Sequence, residues 1–326
     1  MFTRSQSRAI TNPSDSGSAS QLSKVDKKKP AEKFMGIRLR GKANQNKYKT
    51  HDQRDIRTTK WACPATIHRL GITNDFDLLC NNVGIREFVF QDVPTYRRLT
   101  MEFLCTLEHT VDIYFGNNSA EERIKFQLMN RAFDMSIREW CNLFGFAYSD
   151  GHTRTSNYLL NPQPIDYFKQ MSIESNTPKG GNIECPAIRY FFYVIANTLQ
   201  ARGEFTRVNE DEMLILAKAA QLDTDITPNL GTMLLFHLAR QAHQSRGPIT
   251  CGGVITVLAN SLGLDLSNLA QLTGKRYVRT TTLKATCMIT KQQGRIFIRI
   301  PGVAELFPTP MPNLFSIENG ILHYVG

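Results

Sequence analysis

The sequence predicts an α+β fold with a mainly α-helical core, an early β-hairpin, a small β-rich C-terminal segment and a disordered basic N-terminal arm. Apolar residues recur at helical spacing through much of residues 187–262, which indicates packed helices. Apolar and polar residues alternate at 123–129 and 295–300, which indicates half-buried strands. We therefore expect three parts in chain order, the arm, a mainly helical domain and the C-terminal segment, at residues 1–60, 61–265 and 266–326.

The excess positive charge lies at one end of the chain. The 326 residues include 39 Lys and Arg against 29 Asp and Glu, a formal net charge of +10. Residues 1–60 hold 15 basic and 5 acidic side chains, whereas residues 61–326 hold 24 of each. This division excludes a basic globular domain of the histone or ribosomal kind. The 41% hydrophobic and 10% aromatic content excludes a chain disordered throughout, because it is sufficient for a buried core.

The basic arm is the feature that best indicates a partner. It is rich in Ser, Asn, Gln, Lys and Arg and shows no apolar periodicity, so we expect it to be disordered. A flexible cationic segment binds polyanions with release of counterions, which makes an RNA or DNA backbone the expected partner. The candidate contacts are Lys27, Lys28, Lys29, Arg38, Arg40, Lys42, Lys47 and Lys49. The alternatives are a solubilising tail or a nuclear-import segment around residues 27–29.

Two helices are expected early in the folded part. Pro94 precedes apolar residues at helical spacing from Tyr96 to Leu107, and proline suits the first turn of a helix. Ser136 and Glu139 have the spacing of a capping box, in which each side chain bonds the backbone N–H of the other residue. A short helix is therefore expected to begin at Ser136 and to end at Gly145.

The strands are expected on either side of the main helices. Residues 123–129 alternate as one strand, and a turn at Asn130-Arg131 would return residues 132–135 as its hairpin partner. Near the C-terminus, residues 295–300 alternate again, and Asn319-Gly320 is a favoured hairpin turn.

The centre of the domain is predicted to be helical. The segment Ala187–Ala201 is apolar around most of its circumference, which is typical of a helix buried at the centre of a domain. Asn209 and Glu212 have the spacing of a second capping box. Further helices are expected at residues 209–221, 228–244 and 249–262.

The cysteines predict neither disulfides nor a zinc site. The seven cysteines are widely spaced and include no C-x-x-C pair, so reduced thiols in the nucleus or cytoplasm are expected. The N-terminus lacks the apolar region of a secretory signal. The most apolar run, Tyr190–Leu199, is about half of the roughly 20 residues that span a bilayer. We expect no membrane contact, no cofactor and no metal.

Two groups of polar residues could carry chemistry. His237 and Arg240 share the polar side of one predicted helix, where they could contact a phosphate or carboxylate or simply bond to neighbouring elements. Asp223, Asp225 and Glu184 could bind Mg²⁺ in a transposase or nuclease, which would require the three acids to converge on one pocket. No motif in the sequence selects between these alternatives.

Four stretches of the chain resemble one plant family, in the expected order: YRRLTMEFLCTLE (96–108), FQLMNRAFDMSIREWCNLFGF (126–146), AIRYFFYVIANTLQARGEFTRVNEDEMLIL (187–216) and FHLARQAHQSRGPITCGGVITVLANSLG (236–263). The family is that of the first open reading frame proteins of Athila-type LTR retrotransposons, also described as a plant transposon protein domain.

The resemblance implies a non-enzymatic, Gag-like structural protein whose helical body self-associates. It implies no catalytic residues. The chain lacks the Cys-Cys-His-Cys zinc knuckle of a complete Gag protein, so nucleic-acid binding is expected to depend on the arm. The alternatives are a transposase or nuclease, and an inert or domesticated fragment that serves as an interaction module.

Overall fold

The helix at Pro186–Asn197 is buried on every side and forms the centre of the fold. Proline occupies its first turn, where a backbone N–H would have no helical partner. Its polar residues Arg189 and Asn197 are also buried. Asn197 donates a hydrogen bond to the Tyr193 carbonyl, and Arg189 donates one to the Arg299 carbonyl. The buried central helix is therefore confirmed, although it is shorter than predicted.

The computed structural model describes residues 33–112, 121–148, 163–173, 177–202, 206–223, 225, 227–311, 315–318 and 321–324. Among these residues, none of the helices combines the length and the apolar character that crossing a membrane requires.

Helices predominate in the described residues, and the strands form small antiparallel sheets. The helices are α1 (Gly41–Asp52), α2 (Pro64–Leu70), α3 (Thr73–Val83), α4 (Arg86–Val89), α5 (Arg97–Thr106), α6 (Ile137–Leu143), α7 (Pro164–Gln170), α8 (Pro186–Asn197), α9 (Glu210–Ala219), α10 (Leu230–His243), α11 (Gly252–Ser261) and α12 (Thr280–Ala285). The strands are β1 (Glu108–Asp112), β2 (Glu121–Leu128), β3 (Arg131–Ser136), β4 (Ile289–Gln292), β5 (Arg295–Arg299), β6 (Leu306–Pro308), β7 (Phe315–Glu318) and β8 (Ile321–Tyr324). The predicted α+β fold class is confirmed.

Two helices organise the packing. The central α8 packs against α3 and α9, while α5 packs against α1, α10, α11 and β2. Gly252 lets the start of α11 approach the chain just before α5, because a Cβ at this position would lie only 2.4 Å from the Thr95 Cγ2 atom. One continuous apolar cluster extends along the chain from Ile37 to Met311.

The early hairpin is confirmed and is extended by a third strand, in the order β1-β2-β3. Its turn lies one residue earlier than predicted, with Met129 and Asn130 at its centre. Both residues have positive φ, 53° and 61°, as a type I′ turn requires. The buried Glu102 carboxylate accepts hydrogen bonds from the two backbone N–H groups, at 2.9 and 2.6 Å. A carboxylate from α5 therefore stabilises a turn that lacks the usual glycine.

Both predicted capping boxes are present. At the start of α6 the Ser136 hydroxyl accepts from the Glu139 N–H, and Glu139 accepts from the Ser136 N–H. At the start of α9 the Asn209 and Glu212 side chains make the same reciprocal pair, each at 2.8 Å. These bonds satisfy N–H groups that the helices cannot satisfy internally.

The C-terminal segment shares the core of the helical domain. Strand β5 confirms the predicted strand and pairs with β4 and β6. Leu283, Ile298 and Phe307 are buried in the same apolar cluster as α8, so a boundary at residue 265 does not separate two cores. Strands β7 and β8 pair antiparallel on either side of Asn319-Gly320, and these two turn residues lie outside the described residues.

The N-terminal arm is where the structure departs most from the prediction. Residues 33–60 are not a disordered arm, because they include α1 and contribute Ile37, Leu39, Tyr48 and Ile56 to the core. Expected disorder up to residue 60 is therefore wrong for residues 33–60. Lys27, Lys28 and Lys29 lie outside the described residues.

The sequence did not reveal that residues 33–60 are folded because few apolar residues anchor this segment. Tyr48 is the one apolar residue of α1 that is buried, so the sequence of the helix shows almost no amphipathic pattern. The backbone of Ile56 pairs with that of Ile249 in an isolated β-bridge. Such backbone pairing does not depend on side-chain type and has no signature in the sequence.

We expect residues 33–60 to be essential for folding. A chain that begins at residue 61 lacks four buried apolar side chains, each worth about 1.5–3 kcal/mol, against a total stability of about 5–15 kcal/mol for a typical domain. It should show no cooperative thermal transition by circular dichroism, whereas a chain that begins at residue 33 should show one. Equal melting temperatures for the two chains would contradict the described docking of α1.

Candidate nucleic-acid interface

Most of the excess positive charge belongs to the folded part of the N-terminal region. Residues 33–60 contain nine basic and two acidic side chains, whereas residues 1–32 contain six basic and three acidic. The segment 33–60 is fixed to the core by its buried residues. Most of the charge expected on a flexible tail therefore belongs to a segment that is docked on the core.

Four of the predicted contact residues have exposed side chains, and we call these four the basic face: Arg38, Arg40, Lys42 and Lys49. At 100° per residue, Lys42 and Lys49 project from the same side of α1, opposite the buried His51. Within the described part of the chain, none of these four side chains has an ion-pair partner, whereas the neighbouring Asp52 pairs with Arg97 at 2.9 Å.

The backbone before α1 is held against the β2–β3 turn. The Arg38 N–H donates to the Asn130 side-chain oxygen at 2.8 Å, and the Asn130 amide donates to the Gly36 carbonyl at 3.1 Å. These bonds leave the Arg38 side chain exposed. Lys47 differs from the basic face, because it is half-buried and its ammonium lies 3.5 Å from the Leu107 carbonyl.

Arg54 connects the end of α1 to the end of α10. Its buried guanidinium donates to the backbone carbonyls of Gln241, Gln244 and Gly247 at 2.9–3.1 Å, and to the Gln241 side-chain oxygen at 3.1 Å. Burial lowers its pKa. Carbonyls surround it, and no carboxylate among the described residues forms an ion pair that neutralises its positive charge.

His51 completes this connection in its neutral form. Arginine can only donate, so the His51 Nδ1 atom, 3.1 Å from Arg54, must accept, and Nε2 must carry the proton that it donates to the Ala242 carbonyl at 3.2 Å. Burial, and then the charge of Arg54, lower the pKa of His51 to about 4. The ring therefore stays uncharged near neutral pH.

Two open clefts meet at the loop 245–248. The first is lined by Lys49, Arg54 and Arg57, and the second by His237 and Arg240, while both share Arg246. In the first cleft Arg57 pairs with Asp55 at 2.6 Å. Lys49 and Arg246 have no ion-pair partner among the described residues. The basic face therefore continues past the end of α1 into the second cleft.

The two polar residues predicted to share one side of α10 differ in their exposure to solvent. Arg240 is exposed, whereas His237 is buried and its pKa is lowered to about 3, first by burial and then by the charges of Arg240 and Arg202. Gln241, on the same side, is bonded to Arg54 as described above. The structure thus places His237 and Arg240 at one cleft, although sequence periodicity gave no indication that the cleft exists.

The structure describes all three acids of the transposase alternative, Asp223, Asp225 and Glu184. Asp223 accepts from the Tyr167 hydroxyl at 2.5 Å and from the Asp225 N–H at 2.9 Å. Glu184 lies in the chain before α8, where its N–H donates to the Met171 carbonyl. No three His, Cys, Asp or Glu side chains of the described residues are grouped as a metal site requires. The convergence that this alternative depends on is not found in that part of the chain.

We expect Arg54→Ala to reduce the free energy of unfolding by about 3 kcal/mol, because it removes several charge-assisted hydrogen bonds and leaves buried acceptors unpaired. Arg54→Lys should cost less but still destabilise, since an ammonium cannot reproduce the planar fork. The control is Arg57→Ala, which removes an exposed ion pair and should change stability by less than about 1 kcal/mol. Urea unfolding measures all three, and equal midpoints for the two alanine variants would refute the role of Arg54.

The neutral state of His51 predicts acid sensitivity. In the unfolded chain the His51 ring takes up a proton near its ordinary pKa of 6.5, whereas in the folded chain it does so only near pH 4. The free energy of unfolding should therefore fall as pH is lowered from 6.5 to 4, by up to about 3 kcal/mol from this residue. His51→Gln should show a shallower fall over this range in pH-dependent urea unfolding. An unchanged slope would mean that His51 does not titrate as described.

Comparison with known proteins identifies the family. A sequence model of the ATHILA ORF-1 family matches residues 37–297, a range that begins at Ile37, the first buried position among the described residues, and ends within β5. No curated protein and no solved structure matches the chain. Since the family match covers well over half of the sequence, the chain belongs to the ATHILA ORF-1 family of retrotransposon-associated proteins.

Proposed function

We propose that the protein is a non-enzymatic, Gag-like structural protein that binds the backbone of RNA or DNA without sequence preference. The observation that supports this function is the charge of residues 33–60, nine basic against two acidic side chains on a segment docked to the core. Membership of a retrotransposon family supplies the context in which such a protein would meet the nucleic acid of its element.

The geometry of the basic face suits a polymer of phosphates. Lys42 and Lys49 lie seven residues apart on α1, about 10 Å along the helix axis, and the exposed Arg38 and Arg40 lie in the chain just before the helix. Separated cations contact successive phosphates rather than one small anion. They also provide no base-reading contacts of their own, which favours binding without sequence preference.

Self-association of the helical body is the second part of the proposal. A Gag-like role requires many copies on one nucleic-acid molecule, so the body should form oligomers that RNA promotes. Sedimentation velocity with and without RNA measures this property. A monomer under both conditions would reject the particle-forming role and would leave a nucleic-acid-binding module.

The binding test compares two variants with equal loss of charge. In the first, the basic face is neutralised by Arg38→Gln, Arg40→Gln, Lys42→Gln and Lys49→Gln. In the control, four exposed basic residues elsewhere are changed, namely Arg69→Gln, Lys284→Gln, Lys291→Gln and Arg295→Gln. Fluorescence anisotropy with several unrelated single-stranded RNAs gives the affinity as a function of salt concentration.

We expect the first variant to lower the slope of log affinity against log salt by about 3, since each phosphate contact on a single strand contributes about 0.7. At physiological salt its affinity should be at least tenfold below that of the unchanged protein, and the RNAs should bind equally. The control should keep most of both the slope and the affinity. Equal losses in the two variants would show that net charge alone, and not the basic face, is responsible.

A further inference from the structure

The second cleft at the end of α10 is strongly cationic although the body as a whole is neutral. Its volume is about 590 Å³. Three arginines and two histidines line it, namely Arg202, Arg240, Arg246, His237 and His243, and none of the described lining residues is acidic. Among residues 61–326 acidic and basic side chains are equally frequent, so this local composition indicates an anionic ligand.

His237 is a buried polar side chain whose hydrogen bonds are not satisfied. Its exposed fraction is 5%, and neither ring nitrogen makes a hydrogen bond of normal geometry to a described residue. The nearby Ala201 carbonyl only weakly opposes the lowering of its pKa. A buried donor without a partner costs about 1–3 kcal/mol, and such groups are rare in folded proteins. Among the described residues the ring therefore has no partner that satisfies it by normal hydrogen-bond geometry, which leaves it available to a ligand.

His237 is a neutral hydrogen-bond donor near pH 7. Because its pKa is lowered to about 3, the ring is neutral near pH 7 and keeps one N–H. A neutral donor at the buried end of a cleft can bind an anion oxygen while the charge of the ligand is met elsewhere. In this cleft that charge must come from the arginines.

The arginines divide into one that is fixed and two that are free. Arg202 is held by both oxygens of the buried Glu212 carboxylate at 2.8 Å, so its charge is already paired. Arg240 and Arg246 are exposed and have no ion-pair partner within the described ranges. The cleft therefore combines a buried neutral donor with two unpaired guanidinium groups at its opening, where bidentate contacts to phosphate oxygens are possible.

We propose that this cleft binds a phosphate group, with an N–H of His237 donating to one oxygen and Arg240 and Arg246 neutralising its charge. The inference rests on the proposed function and makes it more specific, because Lys49 and Arg246 line one shared cleft and thus connect the basic face to the phosphate site. The same chemistry would accept a nucleic-acid phosphate or a free phosphorylated molecule.

The variants are chosen to change phosphate binding without destabilising the fold. Arg240→Gln with Arg246→Gln changes two exposed side chains, and its matched control is Arg69→Gln with Arg295→Gln. His237→Phe fills the buried position without a donor and should keep or raise the melting temperature, because it removes an unsatisfied polar group. Inorganic phosphate is the first probe, measured by isothermal titration calorimetry and by the shift in melting temperature at constant ionic strength.

We expect phosphate to bind the full chain and to raise its melting temperature, while chloride at equal ionic strength does not. Affinity should fall at least tenfold in His237→Phe and in the double arginine variant, and should stay within twofold in the control. No phosphate binding by the full chain, or equal binding by His237→Phe, would overturn the proposal.

Short single-stranded RNA is the second probe and identifies the source of the phosphate. If RNA competes with inorganic phosphate for the full chain, the site takes a nucleic-acid phosphate, as the proposed function requires. If phosphate binds with the expected losses but RNA neither binds nor competes, the site takes a small phosphorylated molecule, and the proposed function fails while the phosphate site stands. RNA that binds without displacing phosphate would overturn the assignment of this cleft to the nucleic-acid interface.

Discussion

The arrangement of the candidate interface depends on the hydrogen bonds that the Arg54 guanidinium donates. This group crosses from the end of α1 to the end of α10 and donates to three backbone carbonyls and one side-chain amide. The neutral His51 ring accepts a further hydrogen bond from it. Because these bonds fix both helix ends and the loop between α10 and α11, they also set the positions of Lys49, Arg240 and Arg246. Stability and surface charge are therefore coupled at one buried residue.

Because of this coupling, much of the positive charge of the N-terminal region lies on the folded body and not on a flexible tail. A net charge confined to residues 1–60 suggests a removable tail, but residues 33–60 are part of the core through side chains such as Tyr48 and Ile56. A fixed basic surface loses less conformational entropy on binding than a flexible tail does. The charge also has a definite neighbour, the cleft of His237, which a tail would not have.

The parts of the fold that the sequence predicted are those whose causes are local. The apolar circumference of α8 and the reciprocal caps at Ser136 and Asn209 lie within a few residues of one another, so spacing alone reveals them. Helix α1 was missed because its anchors are Arg54 and backbone carbonyls about 190 residues away. The position of the hairpin turn depends on Glu102, a residue of another element. The candidate residues were found by charge, but only the structure shows that Lys47 contacts the body and that His237 lacks a hydrogen-bond partner of normal geometry among the described residues.

The most direct test of this account is the salt dependence of RNA binding by a chain that begins at residue 33. This chain lacks Lys27, Lys28 and Lys29 but retains nine of the fifteen basic residues of the N-terminal region and only two of its five acidic residues. Anisotropy titrations over a range of salt concentrations should give it more than half of the slope of the full chain, because the fixed surface makes most of the phosphate contacts. A slope near zero for this chain would show that the first 32 residues make those contacts, and would contradict the assignment of the interface to the folded body.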